Sequence, residues 1–241
     1  MRFGDSMTQF SLGPRLAACA SLVRPGAVLL DVGTDHAYLP LYLVSQGICP
    51  RAVASDVRKG PLAMASRHIE AAGLSDKIET VCTDGLAGLS DRGGTDVVIA
   101  GMGGLLIRDI LAAAPFVKNP DVALILQPMK NEDALRAYLL AEGFAVTDER
   151  LAAEDGKIYS VLRAVWDGKT RKADALSLLL GAENIEKRAE RRELFLLLLR
   201  KFETTYRKKT NGMRPDHEEY AEAKAIYDAL TALIRETEER I

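Results

Sequence analysis

The chain has 241 residues and a hydrophobic content of 48%, ordinary for a globular protein and ample for one large domain or a domain with an appendage. Its 32 Lys and Arg stand against 34 Asp and Glu, a net charge of −2. That balance excludes a molecule-wide basic footprint and leaves any nucleic-acid contact to a local patch.

In chain order, the stretch 12–23 spaces Leu12, Leu16, Cys19 or Ala20, and Val23 as one face of a short helix. Five apolar runs follow, at 28–30, 52–54, 78–82, 96–100 and 122–126, and each predicts a strand. Helical stretches at 38–46, 61–72 and 105–114 lie between them, with another at 132–142, while only a short Gly-rich stretch separates the third run from the fourth. Continuous apolar strands alternating with helices predict an α/β architecture, a parallel sheet covered on both faces. The stretches 144–150 and 157–164, joined across Ala153-Glu-Asp-Gly, predict a closing antiparallel pair.

From about Trp166–Lys172 onward the strand signal stops. Phe195, Leu198 and Phe202, then Tyr220, Ala223, Tyr227, Leu230, Ile234, Thr237 and Ile241, alternate three- and four-residue steps, the spacing of a coiled-coil seam. Gly212 and Pro215 mark a turn between the two helices. The expected division is a sheet domain over 1–165 and a helical hairpin over 166–241. Cys19, Cys49 and Cys82, like His36, His68 and His217, are scattered without ligand spacing, so no metal site or disulfide framework is expected. There is no basic segment followed by an apolar h-region and no apolar run of membrane length, so the expected location is the cytoplasm, without a membrane partner.

Open α/β sheets bind ligands beyond the carboxyl ends of their strands. After the first run stand Asp31, Gly33, Thr34, Asp35 and His36. Asp35 occupies the second glycine position of a G-x-G-x-x-G turn, where a carboxylate would repel a pyrophosphate, so NAD and FAD are disfavoured. S-adenosylmethionine, which carries an ammonium and a sulfonium and no phosphate, suits such a turn. Asp56, with Val57, lies about 20 positions further on, where an acid accepts from ribose hydroxyls. Asp84 and Gly85 follow the third run, placed to accept from an adenine amino group and to donate from backbone. Gly101, Met102, Gly103 and Gly104 follow the fourth and leave room for a flat substrate against bare backbone. Each acid taken singly also fits a helix cap; Tyr38 and Met102 also fit packing, and Cys82, inside a strand, is expected in the core.

The segments DVGTDHAYLP, SDVRKGPLAMA, TDGLAGL, VVIAGMGGLLIRDIL, LILQP and EDGKIYSVL together resemble the bacterial tRNA (adenine(22)-N1)-methyltransferase family. The resemblance covers roughly the first two-thirds of the chain and extends loosely into the helical hairpin, which that family carries as a C-terminal coiled-coil domain. It implies a Rossmann-like class I S-adenosylmethionine-dependent methyltransferase sheet and methyl transfer to adenine N1 in tRNA. The family's second-strand acid is often Glu, where this chain has the shorter Asp56. The residues agree with N1 chemistry: enzymes acting on exocyclic amines present N/D-P-P-Y/F after the fourth strand, and here Gly101–Gly104 stands in that place. Adenine N1 has an in-plane lone pair and attacks a methyl group without prior deprotonation, so the protein chiefly aligns the displacement and offsets the cation formed.

Asp35, His36 and Tyr38 are the candidates bordering that site, with His36 or Tyr38 positioning an extruded adenine. The expected partner is tRNA, not DNA. The expected state is a monomer, with dimerisation through the coiled coil as the alternative. Lys187, Arg188, Arg191, Arg192, Arg200, Lys201, Arg207, Lys208, Lys209 and Arg214 form either a basic arm for RNA or one side of a charge-paired hairpin. Two other functional classes fit the strand-end acids: a methyltransferase for a small molecule or protein, and a non-catalytic cofactor-binding module.

Overall fold

A computed structural model describes residues 10–239. Its sheet has seven strands: β1 Leu29–Val32, β2 Ala52–Asp56, β3 Ile78–Cys82, β4 Asp96–Met102, β5 Ala123–Pro128, β6 Phe144–Glu154 and β7 Lys157–Trp166. Their order is β3-β2-β1-β4-β5-β7-β6. The first five are parallel, β7 runs antiparallel to β5, and β6 closes the edge antiparallel to β7. Every residue of β1, β2 and β5 is buried, as strands covered on both faces must be.

Helices α1 Pro14–Ala20, α2 Tyr38–Ser45 and α3 Lys59–Ala71 cover one face; α4 Gly104–Ala112 and α5 Glu132–Ala141 cover the other. Strand side chains alternate between two cores accordingly, Leu29 and Val98 on the first, Leu30, Val97 and Ile99 on the second. Pro14 at the helix start holds α1 to a later N-terminus than its apolar spacing predicts.

Several strands run further toward their carboxyl ends than the apolar runs predict. β1 includes Asp31 and Val32, and β2, β4 and β5 extend to Asp56, Met102 and Pro128. Asp31 is therefore a buried strand residue, not a turn residue. The reason is the sheet itself: parallel neighbours on both sides satisfy the backbone there whatever the side chain. Cys82, expected in the core, is exposed, because β3 is the free edge of the sheet.

The β6–β7 hairpin turns on Asp155 and Gly156, at φ +49° and +69°, the left-handed pair of a two-residue turn. Its ladder continues to Glu154 opposite Lys157, whereas β5 stops pairing with β7 at Leu126 opposite Leu162. The tip therefore projects past the carboxyl edge of the parallel strands. Two short helices that no spacing in the sequence suggests, α6 Ala175–Leu180 and α7 Ala182–Glu186, link the sheet to the helical region. There α8 Arg192–Asn211 and α9 Tyr220–Glu239 form the hairpin that the seam predicts, with Phe195, Leu198, Phe202, Ala223, Leu230 and Thr237 buried. Ile241 of the predicted seam lies outside the described residues.

Leu151 and Ile158 of the projecting ribbon share one apolar cluster with Leu179, Leu180, Phe195, Leu198 and Leu230. Beside it Arg136 donates to Glu149 Oε1 at 2.7 and 3.0 Å, to Ser160 Oγ at 2.9 Å and to the Leu178 carbonyl at 2.9 Å. Arg191 donates to the Glu149 carbonyl and to Asn184 Oδ1. Among the described residues Glu149 Oε2 has no hydrogen-bond partner, and it faces bare Gly181, where a Cβ would sit 2.1 Å away.

Candidate functional site

The loop from β1 to α2 is wound tightly. Gly33 stands at φ +73°, a conformation that demands glycine, and a Cβ there would lie 2.4 Å from Met102 Cε and displace the methionine tip. Asp35 and Ala37 also adopt left-handed backbone, at φ +53° and +60°, a strain of about 1–3 kcal/mol each. The surroundings hold it: Gly33 N and Thr34 N both donate to the Ser55 carbonyl at 2.8 Å, Ala37 N donates to the Thr34 carbonyl at 3.0 Å, and His68 Nδ1 lies 3.1 Å from the His36 carbonyl.

This loop separates two adjoining cavities. One, about 330 Å³, is lined by Arg15, Asp31, Gly33, Thr34, Asp35, Tyr38 and Gly101. The other, about 220 Å³, is lined by Asp56, Val57, Arg58, Asp84, Gly85, Met102 and Ile110. Gly33 and Ala100 border both. The strand-end candidates thus come together in one bipartite cleft, His36 excepted. Its ring borders neither cavity and packs instead against Tyr38 and His68, with centroids 5.6 and 5.8 Å away. His36 Nε2 lies 3.6 Å from Asp35 Oδ2, and its buried Nδ1 has no partner among the described residues. Tyr38 is 48% exposed and so is not the packing residue that its type suggests.

Charge in the cleft is less uniformly negative than the chain order implies. Arg58 lies 3.4 Å from Asp56 Oδ1 and 3.8 Å from Asp35 Oδ1, offsetting both acids. Asp56 caps no helix; its Oδ1 accepts from Arg58 N at 2.8 Å. Asp31 differs. It accepts from Thr34 Oγ1 at 2.6 Å and has no cationic side chain within 4.0 Å among the described residues. Burial pushes its carboxyl up from the ordinary 3.8 to about 6; the Thr34 bond opposes the rise and the Asp56 charge adds to it.

Two contributors carry no signal in the sequence. Arg15, on α1, lines the first cavity, donates to Gln127 Oε1 at 2.9 Å, lies 3.4 Å from Glu154 Oε2 and stands over the Tyr159 ring. Gln127, fully buried, accepts from Gly101 N at 3.0 Å and donates to the Pro128 carbonyl, bracing the register shift of β4 at Gly101. No spacing announces Arg15, because only the fold carries α1 to this end of the sheet. Gly104 leaves no space for a substrate: a Cβ there would meet the Asn131 carbonyl oxygen at 2.3 Å, so its bareness serves the packing of α4.

The ten basic residues of the helical region are mostly engaged within the chain. Lys187 pairs with Glu183, Arg188 with Glu236, Arg200 with Glu238, Lys201 with Glu132, Arg207 with Glu203 and Lys209 with Glu219. Arg191 serves the buried polar cluster, and Arg192 donates to the last carbonyls of α9. Among the described residues, Lys208 and Arg214 have no ion partner within 4.0 Å. Pairing within one helix, to α5 and across the hairpin together therefore accounts for most of the basic pattern.

An adenosine-sized cleft, with one buried carboxylate lacking a cation at its floor and an arginine at its wall, fits the amino-acid end of S-adenosylmethionine beside its nucleoside. Residues 12–162 match the family described as methyltransferase domain, so fold and cleft define a class I methyltransferase. The chain is 37% identical over 175 residues to the tRNA (adenine(22)-N(1))-methyltransferase of Bacillus subtilis, covering 73% of this chain and 74% of that one. The crystal structure of the B. subtilis enzyme matches with a TM-score of 0.76 at 30% identity, over 95% of this chain and 98% of that one. A candidate Streptococcus pneumoniae tRNA (m1A22) methyltransferase, crystallised with S-adenosyl-L-methionine, matches with a TM-score of 0.80 at 32% identity, over 93% of this chain and all of that one. The chain belongs to the tRNA (adenine(22)-N(1))-methyltransferase family.

Proposed function

We propose that this chain methylates N1 of adenine 22 in tRNA, with S-adenosylmethionine as methyl donor. The observation that carries the reading is the kinship with the B. subtilis enzyme across about three-quarters of both chains, joined to a cleft whose chemistry suits that cofactor. S-adenosylmethionine supplies an electrophilic methyl group when bound. Asp31 receives the ammonium of the methionyl end, and Arg15, on the same cavity wall, receives its carboxylate. Asp56 accepts from the ribose hydroxyls, while Val57, Asp84 and Gly85 hold the adenine of the cofactor. Gly33, Thr34, Gly101 and Met102 shape the neck between the two cavities.

Tyr38, exposed at the rim of the first cavity, stacks on the target adenine, and Asp35 beside it offsets the positive charge that methylation leaves on the base. His36 stands behind Tyr38 and supports it. We assign the described residues through Trp166, the end of β7, to the methyltransferase unit and those from 167 to 239 to the helical unit. Among the described residues no helix is long and apolar enough to cross a membrane; the tRNA substrate is what points to work in the cytoplasm. The test is to incubate unmodified tRNA with the protein and methyl-labelled cofactor, digest, and locate the label. N1-methyladenosine at position 22 is expected; label elsewhere, or none, refutes the reading.

A further inference from the structure

His68 has no part in the methyl transfer as described so far. This residue sits on α3, half-buried, two turns past the helix start, and nothing in the sequence links it to the first loop. In the fold it makes three contacts with that loop, one of them the tilted packing on the His36 ring already described. Its Nδ1 lies 3.1 Å from the His36 carbonyl oxygen; a carbonyl only accepts, so Nδ1 carries the proton. Its ring stacks on Tyr38, with centroids 5.8 Å apart and planes 24° from parallel.

We infer that His68 is a positioning residue for methyl transfer, acting through Tyr38 and through the His36 backbone; the inference rests on the functional reading above. The hydrogen bond ties down the turn on either side of His36, where Asp35 and Ala37 hold left-handed backbone that non-glycine residues otherwise resist. The stack backs one face of Tyr38, fixes the ring's tilt and leaves its other face for a base. A flat base gains most from a ring already held in place, because no rotamer freedom is then lost on binding. The hydrogen bond and the Tyr38 stack have separable consequences. The backbone tie sets the geometry of Asp35 beside the reacting base and governs kcat. The ring behind Tyr38 governs tRNA KM.

Two variants split them. His68→Asn keeps a donor near the Nδ1 position and removes the ring: tRNA KM rises about three- to tenfold, the scale of one aromatic pairing, with kcat held. His68→Phe keeps a ring and removes the donor: kcat falls about tenfold, the scale of one hydrogen bond, with tRNA KM held. His68→Ala shows both losses, and all three bind S-adenosylmethionine as wild type does by calorimetry. Wild-type kinetics in all three variants, or a uniform loss of kcat, KM and cofactor affinity with no split, overturns the role. An imidazole nitrogen NMR spectrum of the wild-type protein at pH 8 reads the tautomer without any turnover. Nδ1–H on His68 is expected, and Nε2–H overturns the inference. Failure of wild type to methylate tRNA would refute the functional reading instead, leaving the tautomer to decide the hydrogen bond by itself.

Discussion

Replacing Asp31 by Asn separates what the buried carboxylate costs the fold from what it gives the cofactor. The folded carboxyl holds its proton up to about pH 6, against an ordinary value of 3.8. The folded state therefore binds the extra proton between those values, and cofactor-free stability falls as pH rises through that window and stays low above it. The displacement corresponds to about 3 kcal/mol at neutral pH. Asn keeps an acceptor for Thr34 Oγ1 but buries an amide NH2, which returns about 1 kcal/mol. The net gain of about 2 kcal/mol raises Tm by about 4–8 °C in a chain of this length.

Cofactor binding moves the opposite way, since removing one charge from a buried pair costs about 2–5 kcal/mol, roughly 30-fold or more in Kd. Scanning calorimetry without cofactor at pH 7.5 reads the first effect, and titration calorimetry with S-adenosylmethionine reads the second. Near pH 4.5, where the wild-type carboxyl is itself protonated, the Tm advantage shrinks toward zero, and wild-type cofactor affinity declines as pH drops below about 6. An Asp31→Asn variant that melts at or below wild type at pH 7.5, and binds the cofactor within threefold of it, refutes the reasoning.

Four further outcomes follow from the same geometry. Arg15→Met weakens S-adenosylmethionine binding about tenfold or more, as loss of a charge-assisted hydrogen bond should, while an analogue lacking the methionyl carboxylate binds both proteins equally in a calorimetric competition. Gly33→Ala loses cofactor binding and at least about 1–3 kcal/mol of stability in urea melts; adding Met102→Ala relieves the clash but not the backbone strain, so only part returns. Arg136→Ala strands buried Glu149 and costs about 3–5 kcal/mol, whereas Arg136→Met with Glu149→Leu recovers most of it in the same melts. Neutralising Lys208 and Arg214 together flattens the dependence of log K for tRNA on log salt by roughly 0.7–0.9 for each phosphate that thereby goes unpaired. An unchanged slope in filter binding at several salt concentrations would exclude both residues from the RNA interface.

The amino-acid order specifies the parallel sheet, its two layers of helices and the helical hairpin, because each is written in a local period: continuous apolar runs, helical spacing, and three-four alternation from Phe195 through Thr237. It also determined the strand ends as the place to look, and Asp56, Val57, Asp84, Gly85 and Met102 do line one cavity, with Asp31, Gly33, Thr34, Asp35, Tyr38 and Gly101 on the other. Tertiary structure alone decided which charges remain to act there. Arg58, two residues past Asp56, also reaches Asp35, and among the described residues Asp31 is left without a cation within 4.0 Å; the meeting of Arg58 with Asp35 is set by distance between segments rather than by spacing along one. The same holds for Arg15, carried to the cleft by the packing of α1, and for His68, brought to Tyr38 by α3. It holds equally for the basic residues of α8, most of them claimed by acids on other turns and helices. Periodicity records how a segment buries itself; which side chains meet across segments is fixed only when the layers close.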